Sequence, residues 1–138
     1  MSAQMIHTNI QEEISPLRLV KSELKVFTTR YLESLNLITA VGWSVTDDAW
    51  IKYCQILADM ETHLLRKDDL TIYFKFELFN SSSASYLFKI IQRFNDAHAA
   101  GKTVKIYWSC ALDDDNEMLD AGLDFAAMCD FQFKISNL

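Results

Sequence analysis

Phe76-Glu77-Leu78-Phe79-Asn80-Ser81-Ser82-Ser83-Ala84-Ser85-Tyr86 is where the chain changes its period. Upstream, Leu70, Ile72, Phe74, Phe76 and Leu78 alternate with Thr71, Tyr73, Lys75 and Glu77, the period-two pattern of a strand with one apolar face. Downstream, Leu87, Ile90, Ile91 and Phe94 recur at the spacing of a helix buried along one stripe. Asn80 and the serines are therefore predicted at a strand-to-helix junction, with Ser81 in the first turn of the helix or just before it. A helix start leaves amides without intrahelical partners and carries the positive end of the macrodipole, so negative charge is favoured there. Two readings follow. Asn and Ser are preferred N-caps, and capping alone accounts for them locally. A phosphate on one of the hydroxyls would also be tolerated, and would change the surface that a partner meets.

A chain of 138 residues suits one domain with a real core. Half of it is hydrophobic, with only three Gly and one Pro. The formal charge of −6 argues against a nucleic-acid partner, which needs a basic face. No apolar run reaches the roughly 20 residues that would cross a membrane, and the start lacks the pattern of a signal peptide. Cys54, Cys110 and Cys129 are odd in number and sit beside apolar residues, so they read as reduced, mostly packed thiols of a cytoplasmic protein. Without a CxxC pair or a close His/Cys cluster, no structural zinc site is expected.

Outward from the junction, residues 1–20 read as an arm or short helix, with Met5, Ile6, Ile10 and Ile14 as an apolar stripe ahead of Pro16, and residues 21–138 as one domain. Between Leu24 and Val41, Val20, Leu24, Phe27 and Tyr31 fit a helix, but Thr28, Thr29 and Tyr31 favour a hairpin turning near Glu33-Ser34. Thr46 is the expected N-cap of a helix running to about Arg66, with Trp50, Tyr53, Cys54, Leu57, Met60 and Leu64 on its buried face. The helix after the serines should stop at Gly101. A strand with Val104, Ile106 and Trp108 inward follows, then an acidic loop carrying Asp113, Asp114, Asp115, Glu117 and Asp120. A helix near 119–128 and a last strand with Phe131, Phe133 and Ile135 close the chain. Strand–helix alternation three times over, after a hairpin, predicts a single α/β domain with a mixed central sheet and amphipathic helices. Thr71, Tyr73, Lys75, Glu77, Lys105 and Tyr107 should face the other way, polar enough to suggest that the second sheet face is only partly covered.

Three local motifs, in order, resemble the SiaC family of bacterial regulatory phosphoproteins. Gly42, Ser44, Asp47 and Asp48 match a Gly-x-Ser-x-Pro-Glu-Asn-like segment opening the first helix. Asn80-Ser81-Ser82-Ser83 matches an Asn-Thr-Ser-Ser segment at the central strand end. Trp108, the run Asp113-Asp114-Asp115 and Gly122-Leu123-Asp124-Phe125 match a Trp, an acidic loop and Gly-x-Asp-Phe. The resemblance spans roughly 24–135. It implies a fold like the anti-sigma-factor-antagonist (STAS) domain and phosphorylation of the hydroxyl after the Asn, here Ser81, by a Ser/Thr protein kinase. It further implies removal of the phosphate by a PP2C-type phosphatase, and an unphosphorylated form that binds and activates a diguanylate cyclase, promoting aggregation and biofilm. The departures are Ser81 for Thr, Thr46 for Pro, Trp43 where Arg is usual and Ser85 where Lys is common.

The candidate site is thus Ser81 as acceptor, with Ser82 and Ser83 as alternatives, and Asn80, Ser82, Ser83, Asp113 and Asp114 as partner-binding residues. His7, His63 and His98 lie far apart, no nucleophile–base set assembles, and no catalytic residue and no cofactor are predicted. The function expected is a non-enzymatic signalling adaptor. The other class is a small-ligand- or metal-binding α/β enzyme using the acidic loop 113–120, where carboxylates could meet a hard cation.

Overall fold

The computed structural model describes residues 26–45, 48–110 and 116–136. Residues 1–25, Thr46, Asp47, Asp113 and Asp114, and with them the arm, the expected Thr46 cap and the acidic stretch 111–115, lie outside the described residues. The elements are β1 (Phe27–Leu32), a 3-10 turn (Glu33–Leu35), β2 (Leu37–Ser44), α1 (Ala49–Arg66), β3 (Asp69–Phe79), α2 (Ser81–Ala99), β4 (Thr103–Ser109), α3 (Asn116–Ala126) and β5 (Gln132–Ser136).

The hairpin reading of the first part is the right one. β1 and β2 pair antiparallel from Phe27–Gly42 to Leu32–Leu37, and Asn36 takes the left-handed conformation that closes the turn. β2, β3, β4 and β5 are parallel in a five-stranded sheet whose spatial order is the chain order. Crossovers between neighbouring parallel strands are right-handed, so three in one direction carry all three helices to one face. Ile38, Ile72, Phe74, Phe76, Ile106 and Trp108 meet Tyr53, Ile56, Met60, Leu87, Ile90 and Phe94 in the main core.

Four expectations are corrected. On α1, Tyr53, Ile56, Met60, His63 and Leu64 are buried, whereas Trp50 is 54% exposed and Cys54 is exposed, so the buried stripe is rotated toward the Ile56 side. On β3, Leu78 is exposed and Phe79 packs on Phe76, Trp108 and Phe125 instead. The cause is a register shift. Gly42, at φ 120°, pairs with Phe76 but Trp43 pairs with Leu78, so one extra β3 residue inverts the alternation. Glu117 and Asp120 belong to α3 rather than to a loop. Finally, Thr71, Tyr73 and Tyr107, expected on a partly covered face, are buried.

α3 is held against the sheet by the Gly-x-Asp-Phe segment. A Cβ on Gly122 would fall 2.6 Å from Cδ1 of Trp108, so only glycine lets the helix backbone lie on the indole. Trp108 Nε1 donates to the Met118 carbonyl at 3.0 Å, and the Phe125 ring packs 5.6 Å from it.

Candidate functional site

The parallel strands all end on one edge, where open α/β sheets place their sites. Ser44 ends β2, Asn80 follows β3, and α2 begins with Ser81. Asn80 is extended, at φ −121° and ψ −179°, and its side-chain oxygen accepts from the Ser83 amide at 3.1 Å. That is an N-cap, and it satisfies one of the orphan amides of the first turn.

The three serines divide by exposure. Ser81 and Ser82 are exposed, and the Ser82 carbonyl accepts from Ser85 Oγ at 2.8 Å. Ser83 is only 3% exposed, because three residues into the helix its side chain turns back toward the sheet. Its hydroxyl donates to the Ser44 carbonyl, and Ser44 Oγ donates to Ser83 Oγ at 2.7 Å. With both serine protons so used, the Tyr53 hydroxyl, 2.5 Å from Ser44 Oγ, must be the donor in that pair. Burial pushes the Tyr53 phenol up to about 12, against the opposing effect of its serine partners, so it stays protonated and able to donate. Tyr53 also stacks on Tyr86 of α2, with centroids 5.2 Å apart and planes 1° apart. One buried circuit thus ties β2, α1 and α2 together beneath the exposed hydroxyls.

Above it lies a cleft of about 360 Å3 between the start of α1 and the start of α2, walled by Val45, Trp50, Asn80, Ser82 and Tyr86, with Tyr53 and Ser83 beneath. Trp43 sits at the register shift, its indole N–H donating to Glu77 at 2.5 Å. A second hollow of about 340 Å3 opens at the opposite end of the sheet beside His98, Lys102, Lys105 and Gln132, and no candidate residue lines it.

The structure therefore brings Asn80, Ser81 and Ser82 to one surface and takes Ser83 into the interior, while Asp113 and Asp114 lie outside the described residues. Sequence reasoning missed Tyr53 and Tyr86 as parts of the junction. A hydroxyl on an otherwise apolar helix face was the available signal, because a buried phenol needs a polar partner. His63, fully buried, is a satisfied core histidine between the Tyr31 hydroxyl at 2.6 Å and the Asp69 carbonyl at 2.8 Å. Among the described residues, no three His, Cys, Asp or Glu side chains converge as a metal site requires, and no helix is long and apolar enough to cross a membrane.

Comparison with known proteins agrees with this architecture. The profile of the SiaC family regulatory phosphoprotein matches residues 33–138. A chain of the crystal structure of the diguanylate cyclase SiaD in complex with its activator SiaC from Pseudomonas aeruginosa superposes with a TM-score of 0.75 at 18% identity, covering 81% of this chain and 92% of that one. The apo-SiaC crystal structure from the same organism gives 0.72 at 18% identity, covering 81% and 91%. At that identity the superpositions speak to the fold. No curated protein matches the chain.

Proposed function

The chain belongs to the SiaC family of regulatory phosphoproteins, and from that membership we propose that it is a signalling adaptor switched by a phosphate on Ser81. The observation that carries this reading is the division of labour among the serines: Ser81 presents its hydroxyl at the surface of an N-capped helix start, while Ser83 is committed to the interior. A kinase can reach the first without disturbing the fold. A phosphate there adds about −1.5 to −2 charge beside amides and a dipole that partly compensate it, so the domain stays folded. A partner packed on the junction meets that charge without compensation, and desolvating it is costly.

In this reading a Ser/Thr kinase adds the phosphate, a PP2C-type phosphatase removes it, and the unphosphorylated form binds a diguanylate cyclase in the cytoplasm. The solved complex between SiaC and the cyclase SiaD supports a cyclase as the effector. Asn80, Ser82 and the stretch holding Asp113 and Asp114 would contribute to the contact, and the chain would do no chemistry of its own.

The test is intact-mass measurement of protein from its native cell with the site mapped, followed by binding of Ser81→Ala and Ser81→Asp to the cyclase it copurifies with. Ser81→Ala should bind constitutively and Ser81→Asp should bind at least tenfold more weakly, with an unchanged melting temperature. Both variants binding like wild type would rule the switch out.

A further inference from the structure

The main core is left open at one end of the sheet. Phe133 and Ile135 of β5 pair in register with Ile106 and Trp108, so both point to the helix-bearing face, and the Phe133 ring lies 6.0 Å from Trp108. Yet both are only half-buried, because β5 is an edge and, among the described residues, no strand stands beyond it. Leu119 of α3 is half-buried on the same core. Leu123, one turn on along the same flank, is 53% exposed. That flank faces away from α2. Asn95 of α2 donates to the Met128 carbonyl at 2.9 Å and accepts from the Asp130 amide at 2.8 Å, and Met128 lies in the turn closing α3, on the side opposite Leu123. The last helix and the last strand thus share one apolar border: Leu119, Leu123, Phe133 and Ile135.

The charge around this border is one-sided. From Asn116 to Phe133 the chain carries Glu117, Asp120, Asp124 and Asp130 and no lysine or arginine. All four carboxylates are exposed. Lys134 comes next, but it pairs with Tyr107 and so lies on the other face of the sheet. A single leucine in the open is ordinary. Here the exposed leucine continues the core outward, and every charged side chain of α3 has the same sign.

We propose that the α3–β5 border docks a basic amphipathic helix of a partner protein. Its apolar stripe covers Leu119, Leu123, Phe133 and Ile135, and its lysines or arginines meet Asp120 and Asp124. The charge selects this occupant. An anionic membrane or a nucleic acid is repelled by the acidic rim, and a second copy brings the same acids and the same net charge of −6. A strand added to β5 satisfies the free edge but lies in the plane of the sheet, leaving Leu123 uncovered in the helix layer above. A helix, roughly 10 Å across, bridges the step from the sheet to α3. None of Asn80, Ser81 or Ser82 belongs to this border, so the docking stands or falls apart from the phosphate switch.

Two measurements on the full chain test this. The probes for the first are a short leucine–lysine peptide with leucines at i, i+3, i+4 and i+7, and an isomer of the same composition in scrambled order. Calorimetric titration should show the helical probe binding one-to-one and roughly tenfold more tightly than its isomer. Amide NMR shifts should concentrate on α3 and β5. Leu123→Ser, an exposed change that leaves the core intact, should weaken the helical probe by about tenfold. Asp120→Asn/Asp124→Asn should weaken it as well and flatten its dependence on salt. Equal binding of the two probes, shifts centred on α1 or on the Trp50 cleft, or Leu123→Ser binding like wild type would overturn the proposal. Separately, a benzophenone photo-cross-linker placed at Leu123 should, in the native cell, join a protein segment with apolar residues at helical spacing and an excess of lysine and arginine. A cross-link to a second copy of this chain, to an acidic segment, or to nothing would refute the docking.

Discussion

Ser44 and Ser83, 39 residues apart, hold each other by two hydrogen bonds: Ser44 Oγ donates to Ser83 Oγ at 2.7 Å, and Ser83 Oγ donates to the Ser44 carbonyl. The pair fixes the start of α2 against the end of β2, and Tyr53 anchors it from α1. Removing one member strands buried polar atoms, which is worse than losing a bond between solvated groups.

Ser83→Ala should therefore cost about 1–3 kcal/mol, because the Ser44 hydroxyl and carbonyl lose their partner. Ser81→Ala should stay within about 0.5 kcal/mol of wild type, as an exposed substitution away from such features. Urea unfolding of the two variants checks the contrast, and equal midpoints would mean that the buried circuit does not hold the junction.

Asn80→Ala removes the cap on the Ser83 amide and should cost about 1 kcal/mol. Asn80→Asp keeps an acceptor oxygen and adds charge at the favourable helix end, so it should recover most of that loss. Thermal melts of the two variants provide the measurement.

Gly122→Ala should destabilise by about 1–3 kcal/mol, although alanine is the better helix former by about 1 kcal/mol. The new methyl would sit 2.6 Å from Trp108 Cδ1 and 2.7 Å from its Nε1, and the indole is buried and tied to Met118. Denaturant midpoints, read with the Trp fluorescence of the folded state, check it.

Stability should fall as pH rises from about 10 toward 12. Tyr53 keeps its proton in the fold up to about 12, whereas the unfolded chain releases it near 10. Between those values the unfolded state binds fewer protons, so alkali favours unfolding, by up to roughly 2–3 kcal/mol for a shift of this size. The stabilising contribution is fully present below pH 10. Tyr53→Phe, which has no phenol to titrate, should show a flatter decline above pH 10 in pH-jump unfolding, even though it is less stable at pH 7.

Much of this protein could be read in one dimension. The alternation through Leu70–Phe76 and the helical stripe from Leu87 to Phe94 each record a local period, and burial on one face enforces it. The change of period at Asn80 therefore located the junction, and Gly101 the end of α2, without any knowledge of neighbours. What needed three dimensions were the facts set by partners distant in the chain. The extra residue between Phe76 and Leu78 that turns Phe79 inward is a property of β2 and β3 together. The rotation of the α1 stripe that leaves Trp50 in the open follows from where β1 and α2 lie. Three serines in a row look alike as letters, and each has the same chemistry. Only the Ser44 backbone, brought beside α2 by the parallel pairing of β2 and β3, makes Ser83 an interior hydrogen-bonding residue and leaves Ser81 outside.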